Sequence, residues 1–300
     1  MTTSQTEQWQ GHTDGFQWMH RLLIRSLAVL PLGLVYGIAA LLVVPVYMLV
    51  RREAYRVQYR LFRQCFGEAP LRAFCHVYLN FYRFSQVIID RFAVYGGRRY
   101  EFQVEGLDLY NQLAEGEGGF MQICSHCGNY ELAGYELRQP RKVLYMLLFS
   151  GETQTVMQNR ARVLAPNGVQ LVPFAPDMSH IFTLNNALAD GNIVSMAGDR
   201  IFGSAKSISC QFFGRTVRLP MGPFSLASAR QVPVVTIFVM KEGWHRYRIY
   251  VCPLTAIPAS ADDTLPRISK QALAQQYATE LEQMLRRYPE QWFNYFDLWQ

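Results

Sequence analysis

The chain has 300 residues, of which 50% are hydrophobic and 17% charged, and its formal net charge is +6. This length allows one large α/β domain or two small ones. The six cysteines do not form the dense framework of a small secreted domain, which favours a reduced, cytoplasm-facing protein. Because dense Lys/Arg blocks with interleaved aromatic residues are missing, we expect no nucleic-acid partner and favour an anionic membrane surface or an acidic substrate.

The first predicted element is the uncharged stretch from Ser26 to Val50. About 20 apolar residues suffice to cross the hydrocarbon core of a bilayer, so the length permits a transmembrane helix. Pro31 and Pro45 favour kinks, or a bent segment that lies partly in the membrane interface. The arginines that follow outnumber those that precede, which places the C-terminal side in the cytoplasm. A buried core helix is the alternative.

In the rest of the chain, the spacing of the apolar residues changes once. Aromatic residues recur at helical spacing through residues 51–95, which predicts two helices that lie along the membrane or cover the core. After Gly96 short β-like runs alternate with helical ones, which predicts a single α/β domain with a mainly parallel mixed sheet flanked by helices. The predicted divisions are a polar segment (1–20), a membrane anchor (21–50), a helical membrane-proximal segment (51–95) and the α/β domain (96–300).

The α/β part divides into short predicted elements. The predicted strands are Tyr100–Glu105, Gly119–Cys124, Val143–Phe149, Val169–Pro173, Asn192–Ala197, Ser207–Phe213, Val234–Lys241 and Tyr247–Val251. The predicted helices are Asp108–Ala114, Glu131–Leu137, Glu152–Leu164, Met178–Ala189, Pro223–Arg230 and Arg267–Tyr288. Only five residues separate the last two strands, which predicts a hairpin.

The strongest chemical pattern is a histidine five positions before a glutamate, His126 and Glu131, at a predicted strand-to-helix transition. A neutral imidazole can remove a proton near neutral pH, and a carboxylate bonded to its other nitrogen fixes the tautomer. Gly128 and Asn129 suit a tight turn, and N–H groups at the next helix start could bind an oxyanion or phosphate. We predict that His126 is a general base oriented by Glu131; the alternative is a surface histidine beside a helix-start glutamate.

Two further turns carry candidate ligand-binding residues. Asp199 and Arg200 follow a predicted strand, and ligands of α/β sheets bind beyond the carboxyl ends of strands. Arg200 could therefore clamp a phosphate or a phosphopantetheine, whereas a structural ion pair is the alternative. Arg218 precedes Gly222 and Pro223, which can start a helix whose amides face a ligand; an ordinary strand-to-helix turn is the alternative.

Two other patterns are open to a structural interpretation. Cys124 and Cys127 form a C-x-x-C, which is compatible with redox or metal chemistry, but no second pair is present and packing cysteines are favoured. Five of the residues after Pro289 are Trp, Phe or Tyr. We expect this C-terminal stretch to pack into the core, or to lie at the membrane interface, without a catalytic role.

Together these motifs resemble the lipid A late acyltransferase family, of the lysophospholipid acyltransferase type. The resemblance rests on an H-x-G-N-x-E run, a G-D-R-like turn, a P-x-G-P-x-x-L-A segment and a terminal P-x-Q-W stretch. In this sequence the four motifs are His126–Glu131, Gly198–Arg200, Pro220–Ala227 and Pro289–Trp292. The resemblance extends from about residue 15 to the end, with the motifs in the same order and at similar spacing.

The resemblance implies a membrane-bound acyltransferase of a Gram-negative inner membrane, with its catalytic domain facing the cytoplasm. It would move a fatty acyl group from acyl carrier protein, or coenzyme A, to a hydroxyl or amine of a lipid or glycolipid, without a metal or other cofactor. It implies His126 and Glu131 as catalytic residues. The expected substrate-binding residues are Gly128, Asn129, Asp199, Arg200, Arg218, Gly222 and Pro223.

The turn at Asp199 is most similar to a branch found in aryl-polyene-type biosynthetic clusters, which favours an acceptor other than lipid A. Two alternatives stay open at this point. One is a non-catalytic membrane scaffold that retains the acyltransferase fold, and the other is a redox protein that uses the C-x-x-C.

Overall fold

The structure, a computed structural model, describes residues 17–137, 141–148, 154–175, 177–201, 206–255, 267–296 and 299. Most of the predicted polar segment, residues 1–16, lies outside this described part, as do the end of the third predicted strand and the start of the third predicted helix.

Helices and strands alternate through most of the described chain. The helices are α1 (Gln17–Val29), α2 (Leu32–Ile38), α3 (Val44–Val50), α4 (Arg52–Gln64), α5 (Pro70–Tyr95), α6 (Leu107–Glu115), α7 (Ala133–Glu136), α8 (Gln154–Leu164), α9 (Ser179–Ala189), α10 (Met221–Arg230) and α11 (Lys270–Arg287). The strands are β1 (Glu101–Glu105), β2 (Phe120–Gly128), β3 (Leu144–Leu148), β4 (Val169–Pro173), β5 (Ile193–Ala197), β6 (Ser207–Phe212), β7 (Arg215–Pro220), β8 (Val234–Lys241) and β9 (Arg246–Pro253). A π-helical turn (Ala39–Val43) joins α2 to α3, and short 3₁₀ turns occupy Tyr130–Leu132, Ala165–Asn167 and Pro289–Gln291.

Within the described residues a seven-stranded sheet has the order β1-β9-β8-β2-β5-β3-β4. The strands from β8 to β4 are parallel to their neighbours, whereas β9 runs antiparallel to β8 and β1 is parallel to β9. Every residue of β8 is buried, as expected for a central strand of a sheet covered on both faces. The predicted α/β class, the mainly parallel sheet and the β8–β9 hairpin are therefore confirmed.

Alternate residues of the central strands enter two different hydrophobic clusters. Met121, Val234 and Phe238 pack with the residues of α9, α10, α11 and the β6–β7 pair. Phe120 and Val235 face the opposite side, where they pack with α6, α7 and α8. This two-sided burial fixes the register of each strand, because a shift by one residue would exchange the two faces.

A second, two-stranded sheet was not predicted in full. β6 and β7 pair antiparallel, from Ser207 opposite Pro220 to Phe212 opposite Arg215. The two turn residues, Phe213 and Gly214, have φ angles of 51° and 69°, as the twist of a two-residue hairpin requires. The sequence predicted β6 but treated the segment that forms β7 as a turn leading into a helix.

The apolar N-terminal segment forms two helical parts. α1 ends before Pro31, where a break was predicted, and the part from Leu32 to Val50 is one helix of 19 residues with a mean hydropathy of 2.3. Within the described residues it is the one helix long and apolar enough to cross a membrane. Its π-helical turn lies just before Pro45, and proline removes a backbone donor from a helix. The two helices predicted for residues 51–95 are α4 and α5.

Candidate active site

A bulge near the end of β2 carries His126. Cys124 lies opposite Ile237 of β8 and Gly128 opposite Val239, so β2 has two more residues than β8 over this interval. Gly128 has a φ of +63°, and a Cβ there would lie 2.0 Å from the Val239 carbonyl oxygen. Only glycine fits this conformation, and the bulge leaves the His126 side chain 22% exposed while its strand stays buried.

The imidazole of His126 is held by Asp199. The Nδ1 atom lies 2.8 Å from Asp199 Oδ1, and the His126 backbone N–H donates to Asp199 Oδ2 at 2.8 Å. Asp199 follows the end of β5, which is the parallel neighbour of β2. Because the carboxyl ends of parallel strands meet at one edge of a sheet, the two side chains come together although 73 residues separate them.

The carboxylate of Asp199 is fully buried and receives a third hydrogen bond, from Trp292 Nε1 to Oδ2 at 3.0 Å. Burial by itself would raise the pKa of Asp199, but His126, Arg200 and the Trp292 hydrogen bond together lower it to about 2. Asp199 is therefore charged at neutral pH and accepts a hydrogen bond from Nδ1–H. The remaining ring nitrogen of His126, Nε2, is then left as the acceptor.

The pKa of His126 lies below its ordinary value. Burial disfavours the imidazolium most, and the guanidinium of Arg200 lowers the pKa further, against the opposing effect of Asp199. A neutral imidazole that is unprotonated at Nε2 is the form that a general base requires.

The C-terminal segment fixes the position of this pair. The Phe293 N–H donates to the His126 carbonyl at 2.8 Å, and Arg200 donates to the Phe293 carbonyl at 2.6 Å. Asn80 of α5 donates to the Trp292 carbonyl at 2.9 Å. Trp292 and Phe293 are 2% and 3% exposed, which confirms the predicted packing of this segment into the core. Its contacts with Asp199 and Arg200 were not predicted.

Glu131 does not occupy the position expected from the sequence. Its Oε1 accepts from Tyr95 at 2.5 Å, and its Oε2 accepts from Arg160 at 2.9 Å and lies 3.3 Å from Arg91 Nε. Burial would raise the pKa of Glu131, but the two arginines and Tyr95 lower it. The predicted His126–Glu131 pairing is therefore corrected. Asp199 is the carboxylate that is hydrogen-bonded to the imidazole, and Glu131 instead binds two guanidinium groups.

Several arginines lie at the site. Among the described residues, Arg91, Arg160 and Arg200 lie close to the two carboxylates Glu131 and Asp199. Arg91 is close enough to His126 to lower its pKa. Tyr95, Arg91 and Arg160 were missed by sequence reasoning; a weak signal was available, since Arg91 and Tyr95 are four residues apart and share one face of α5.

The other predicted ligand-binding residues lie in different parts of the structure. Asn129 is buried, and its N–H donates to the Val239 carbonyl at 2.8 Å, so Gly128 and Asn129 shape the bulge. Arg200 reaches the site itself. Gly222 and Pro223 lie in the first turn of α10, and a Cβ on Gly222 would lie 3.9 Å from Met196 of β5.

The position of Arg218 and the helix predicted after Glu131 both differ from the expected ligand-binding surface. Arg218 has an exposed side chain on β7, which belongs to the separate two-stranded sheet. The helix predicted after Glu131 is a 3₁₀ turn followed by the four-residue α7. It is too short for the aligned backbone dipoles that make a helix N-terminus an anion site.

The C-x-x-C pair is part of the core. Cys124 and Cys127 are 9% and 0% exposed and both are free thiols. Burial raises the pKa of Cys124 to about 12 and that of Cys127 well above its ordinary value. Because the thiolate is the reactive form of cysteine, this environment argues against a redox function. Within the described residues no group of three or more His, Cys, Asp or Glu side chains could hold a metal ion.

Residues 17–300 match the family model of the bacterial lipid A biosynthesis acyltransferases. The chain belongs to this family. Membership confirms the resemblance seen in the motifs and implies transfer of an acyl group to a lipid acceptor. No curated protein matches the sequence. The assignment to the branch found in aryl-polyene-type clusters stays a prediction.

Proposed function

We propose that this lipid A acyltransferase family member transfers a fatty acyl group from a thioester of acyl carrier protein, or of coenzyme A, to a hydroxyl or amine of a lipid or glycolipid. His126 is the general base, and Asp199 orients it. The observation that carries the proposal is the pair of 2.8 Å hydrogen bonds between His126 and Asp199 at the bulged end of β2. The geometry supports this role for Asp199 in place of Glu131.

The reaction follows from the protonation states of the pair. Nε2 of His126 removes the proton of the acceptor O–H or N–H while the acceptor atom forms a bond to the thioester carbonyl carbon. The resulting imidazolium is stabilised by the carboxylate of Asp199. The C–S bond then breaks, and the departing thiolate receives the proton from Nε2. The acyl group has moved from sulfur to the acceptor, and the imidazole is neutral again.

The arginines supply the electrostatic part of the proposal. The tetrahedral intermediate carries a negative charge, and both donors carry phosphate groups. Arg200 Nε is buried and has no hydrogen-bond partner among the described residues, and a buried, unpaired donor is costly unless a ligand completes it. We assign Arg200 to an anionic group of the substrate or intermediate. Glu131 holds Arg91 and Arg160 beside the site, where they favour anionic substrates.

The substrate-binding roles of the more distant residues belong to the same proposal. Arg218 is exposed and adds positive charge for an anionic donor such as acyl carrier protein. Gly222 and Pro223 lie on α10, next to the strand that leads to Asp199. Gly128 and Asn129 act through the backbone, since they shape the bulge on which His126 lies.

A membrane location is the second part of the proposal. The helix from Leu32 to Val50 exposes large apolar side chains, and exposed arginines follow it directly, at Arg51, Arg52 and Arg56. This arrangement favours the cytoplasmic face of an inner membrane, where anionic headgroups attract arginines. A lipid acceptor would be present in that membrane.

Lipid mass spectrometry tests the proposed function. A deletion strain is compared with strains complemented by the wild-type chain, by His126→Ala and by His245→Ala. The last is a matched control, because His245 is exposed and lies in the β8–β9 turn. We expect one lipid to be lighter by a single acyl chain in the deletion strain. Wild type and His245→Ala should restore it and His126→Ala should not.

Two outcomes would contradict the proposal. Restoration of the lipid by His126→Ala at the wild-type level would show that the imidazole is not the base, and would favour a scaffold that acts without catalysis. A lipid profile that is identical in the deletion and wild-type strains would exclude a lipid acceptor under those growth conditions and would overturn the proposed substrate class.

A further inference from the structure

The apolar helix Leu32–Val50 has two different faces. One face is buried within the protein, at Leu32 (3% exposed), Tyr36 (1%), Ala39 (4%) and Val44 (1%). The opposite face exposes large apolar side chains along the whole helix, namely Leu34, Ile38, Leu41, Leu42, Val46 and Leu49. A helix that crosses a bilayer alone would be apolar and exposed on every side, so this one is docked along its length.

The docking partner is α5, which runs antiparallel to the apolar helix. Near the start of the helix the Tyr36 hydroxyl donates to Asp90 Oδ1. In the middle Ala40 accepts from Tyr78 at 2.8 Å. Towards the end the rings of Tyr47 and Phe81 lie 5.6 Å apart, edge to face.

α5 cannot enter the hydrocarbon core with its partner. It carries the buried polar residues Asn80, Gln86 and Asp90. Asp90 also binds Lys241 of the central sheet at 2.6 Å. The next residue, Arg91, pairs with Glu131 in the active site. If the apolar helix crossed a bilayer in this docked state, these charged groups and the edge of the catalytic site would lie at hydrocarbon depth, which is strongly unfavourable.

We propose that Leu32–Val50 does not cross the bilayer but lies along one leaflet, with its exposed apolar face in the lipid. The protein would then be monotopic. The surface continues onto α5, where Leu71 and Phe74 are 75% and 46% exposed, and Tyr55 of α4 packs against Phe74. The arginines of α4 would lie at headgroup level. The inference rests on the membrane location within the proposed function, and it is independent of the chemistry at His126.

An in-plane helix also determines the route by which the lipid acceptor reaches the active site. The same helix, α5, contacts the apolar segment through Asp90 and the active site through Arg91. A lipid in the occupied leaflet therefore reaches the arginine cluster without crossing the membrane. We expect the acceptor to be drawn from the leaflet in which the helix lies.

Probe depth along the helix tests the inference with the full-length chain. Leu34→Cys, near the start of the helix, and Leu41→Cys, at its middle, are labelled separately with an environment-sensitive fluorophore, in a Cys75→Ser background because Cys75 is exposed. The two positions are about 10 Å apart along a helix, so a crossing helix would place the first at shallow and the second at deep hydrocarbon level. The labelled proteins are reconstituted in phosphatidylethanolamine–phosphatidylglycerol vesicles that carry bromine at a shallow or a deep acyl position. Phe182→Cys, an exposed apolar position on α9, is the control.

For an in-plane helix we expect both helix probes to be quenched more by shallow than by deep bromine, to the same extent, and the control to be quenched by neither. A crossing helix would give two different depth profiles. If neither helix probe is quenched and copies of the protein that carry Leu41→Cys cross-link to one another, a second protein chain covers the exposed apolar face of the helix. Either of these results would overturn the inference.

Accessibility of an N-terminal tag gives an independent measurement. An in-plane helix keeps the tag on the cytoplasmic side, so that protease removes it in inside-out membrane vesicles and not in spheroplasts. Removal in spheroplasts would show that the helix crosses the membrane. If the enzyme is active but its helix crosses the membrane, only the monotopic inference is contradicted. If both probes lie at equal depth but the enzyme is inactive, only the proposed function is contradicted.

Discussion

The substitution Asp199→Asn tests the proposed pair most directly, because it changes one charged group and keeps the shape of the side chain. Oδ2 of Asp199 accepts from the His126 backbone and from Trp292, so the amide oxygen of asparagine must take that position. The amide N–H₂ then faces Nδ1 of His126. Two donors cannot face each other, so Nδ1 becomes the acceptor and the proton moves to Nε2, where it blocks the general base.

The magnitude of the effect follows from two estimates. General-base catalysis contributes about 10²- to 10⁴-fold to a rate, and a wrong tautomer removes most of it. We therefore expect kcat to fall by about 10³-fold with little change in KM. The pKa of Asp199 is lowered from 3.8 to about 2, so its ionised form contributes about 2 kcal/mol to the free energy of unfolding.

The sign of this stability term fixes its pH range. Because the folded-state pKa is depressed, the contribution is complete above the unfolded value near 4 and disappears as the pH falls through about 2. Asp199→Asn should therefore unfold at a lower denaturant concentration than wild type at neutral pH, and the difference should shrink in acid.

The assay measures thiol release from an acyl thioester with extracted lipids as acceptor, followed by mass spectrometry of the lipid product. Asp190→Asn is the matched control, since Asp190 is exposed at the end of α9. Wild-type kcat in Asp199→Asn, per folded molecule, would refute the role assigned to Asp199. A complete loss in Glu131→Gln, together with wild-type kcat in Asp199→Asn, would restore Glu131 as the orienting group.

Three further substitutions and one measurement on the wild type extend the same reasoning. Trp292→Phe removes one donor to Asp199 but keeps the ring, so kcat should fall about tenfold and the acid limb of the pH–rate profile should move to higher pH; an unmoved limb would limit Trp292 to packing. Gly128→Ala should lower the free energy of unfolding by about 1–3 kcal/mol and abolish activity, measured by denaturation and thiol release. Cys127→Ala should retain activity, and an inactive, folded variant would revive the redox hypothesis. In the wild type, the acid limb set by His126 should lie below its ordinary pKa of 6.5, as a kcat/KM profile would show.

The sequence predicted the candidate base and missed its partner for a physical reason. Spacing along the chain predicts contacts within one turn or loop, and Glu131 is near His126 in sequence. The contact with Asp199 instead depends on β5 being the neighbour of β2, and strand order cannot be read from the pattern of single strands. The carboxyl-end rule did predict Asp199 and Arg200 as site residues at the ends of the strands, which was the closest available prediction.

The β6–β7 hairpin was missed because its turn lacks the usual signal. A two-residue turn requires positive φ at both positions, and Asn-Gly or Asp-Gly is the common solution. Here Phe213 takes the first position with a φ of 51°. Its ring packs 5.0 Å from Phe66 and 4.9 Å from Phe212, so burial of an aromatic ring offsets the strain of the turn. Tertiary contacts of this kind are invisible to local sequence rules.

The position of α5 links the two proposals physically. Adjacent residues of this helix point to different partners: Asp90 binds Tyr36 of the apolar segment and Lys241 of the sheet, whereas Arg91 binds Glu131. Successive side chains of a helix project about 100° apart, so one helix can contact both surfaces at the same level. In the proposed in-plane arrangement, docking of the apolar segment on α5 fixes the height of the arginine cluster relative to the lipid surface. This arrangement explains why a catalytic domain would retain a buried ion pair outside its active site, where its desolvation is costly.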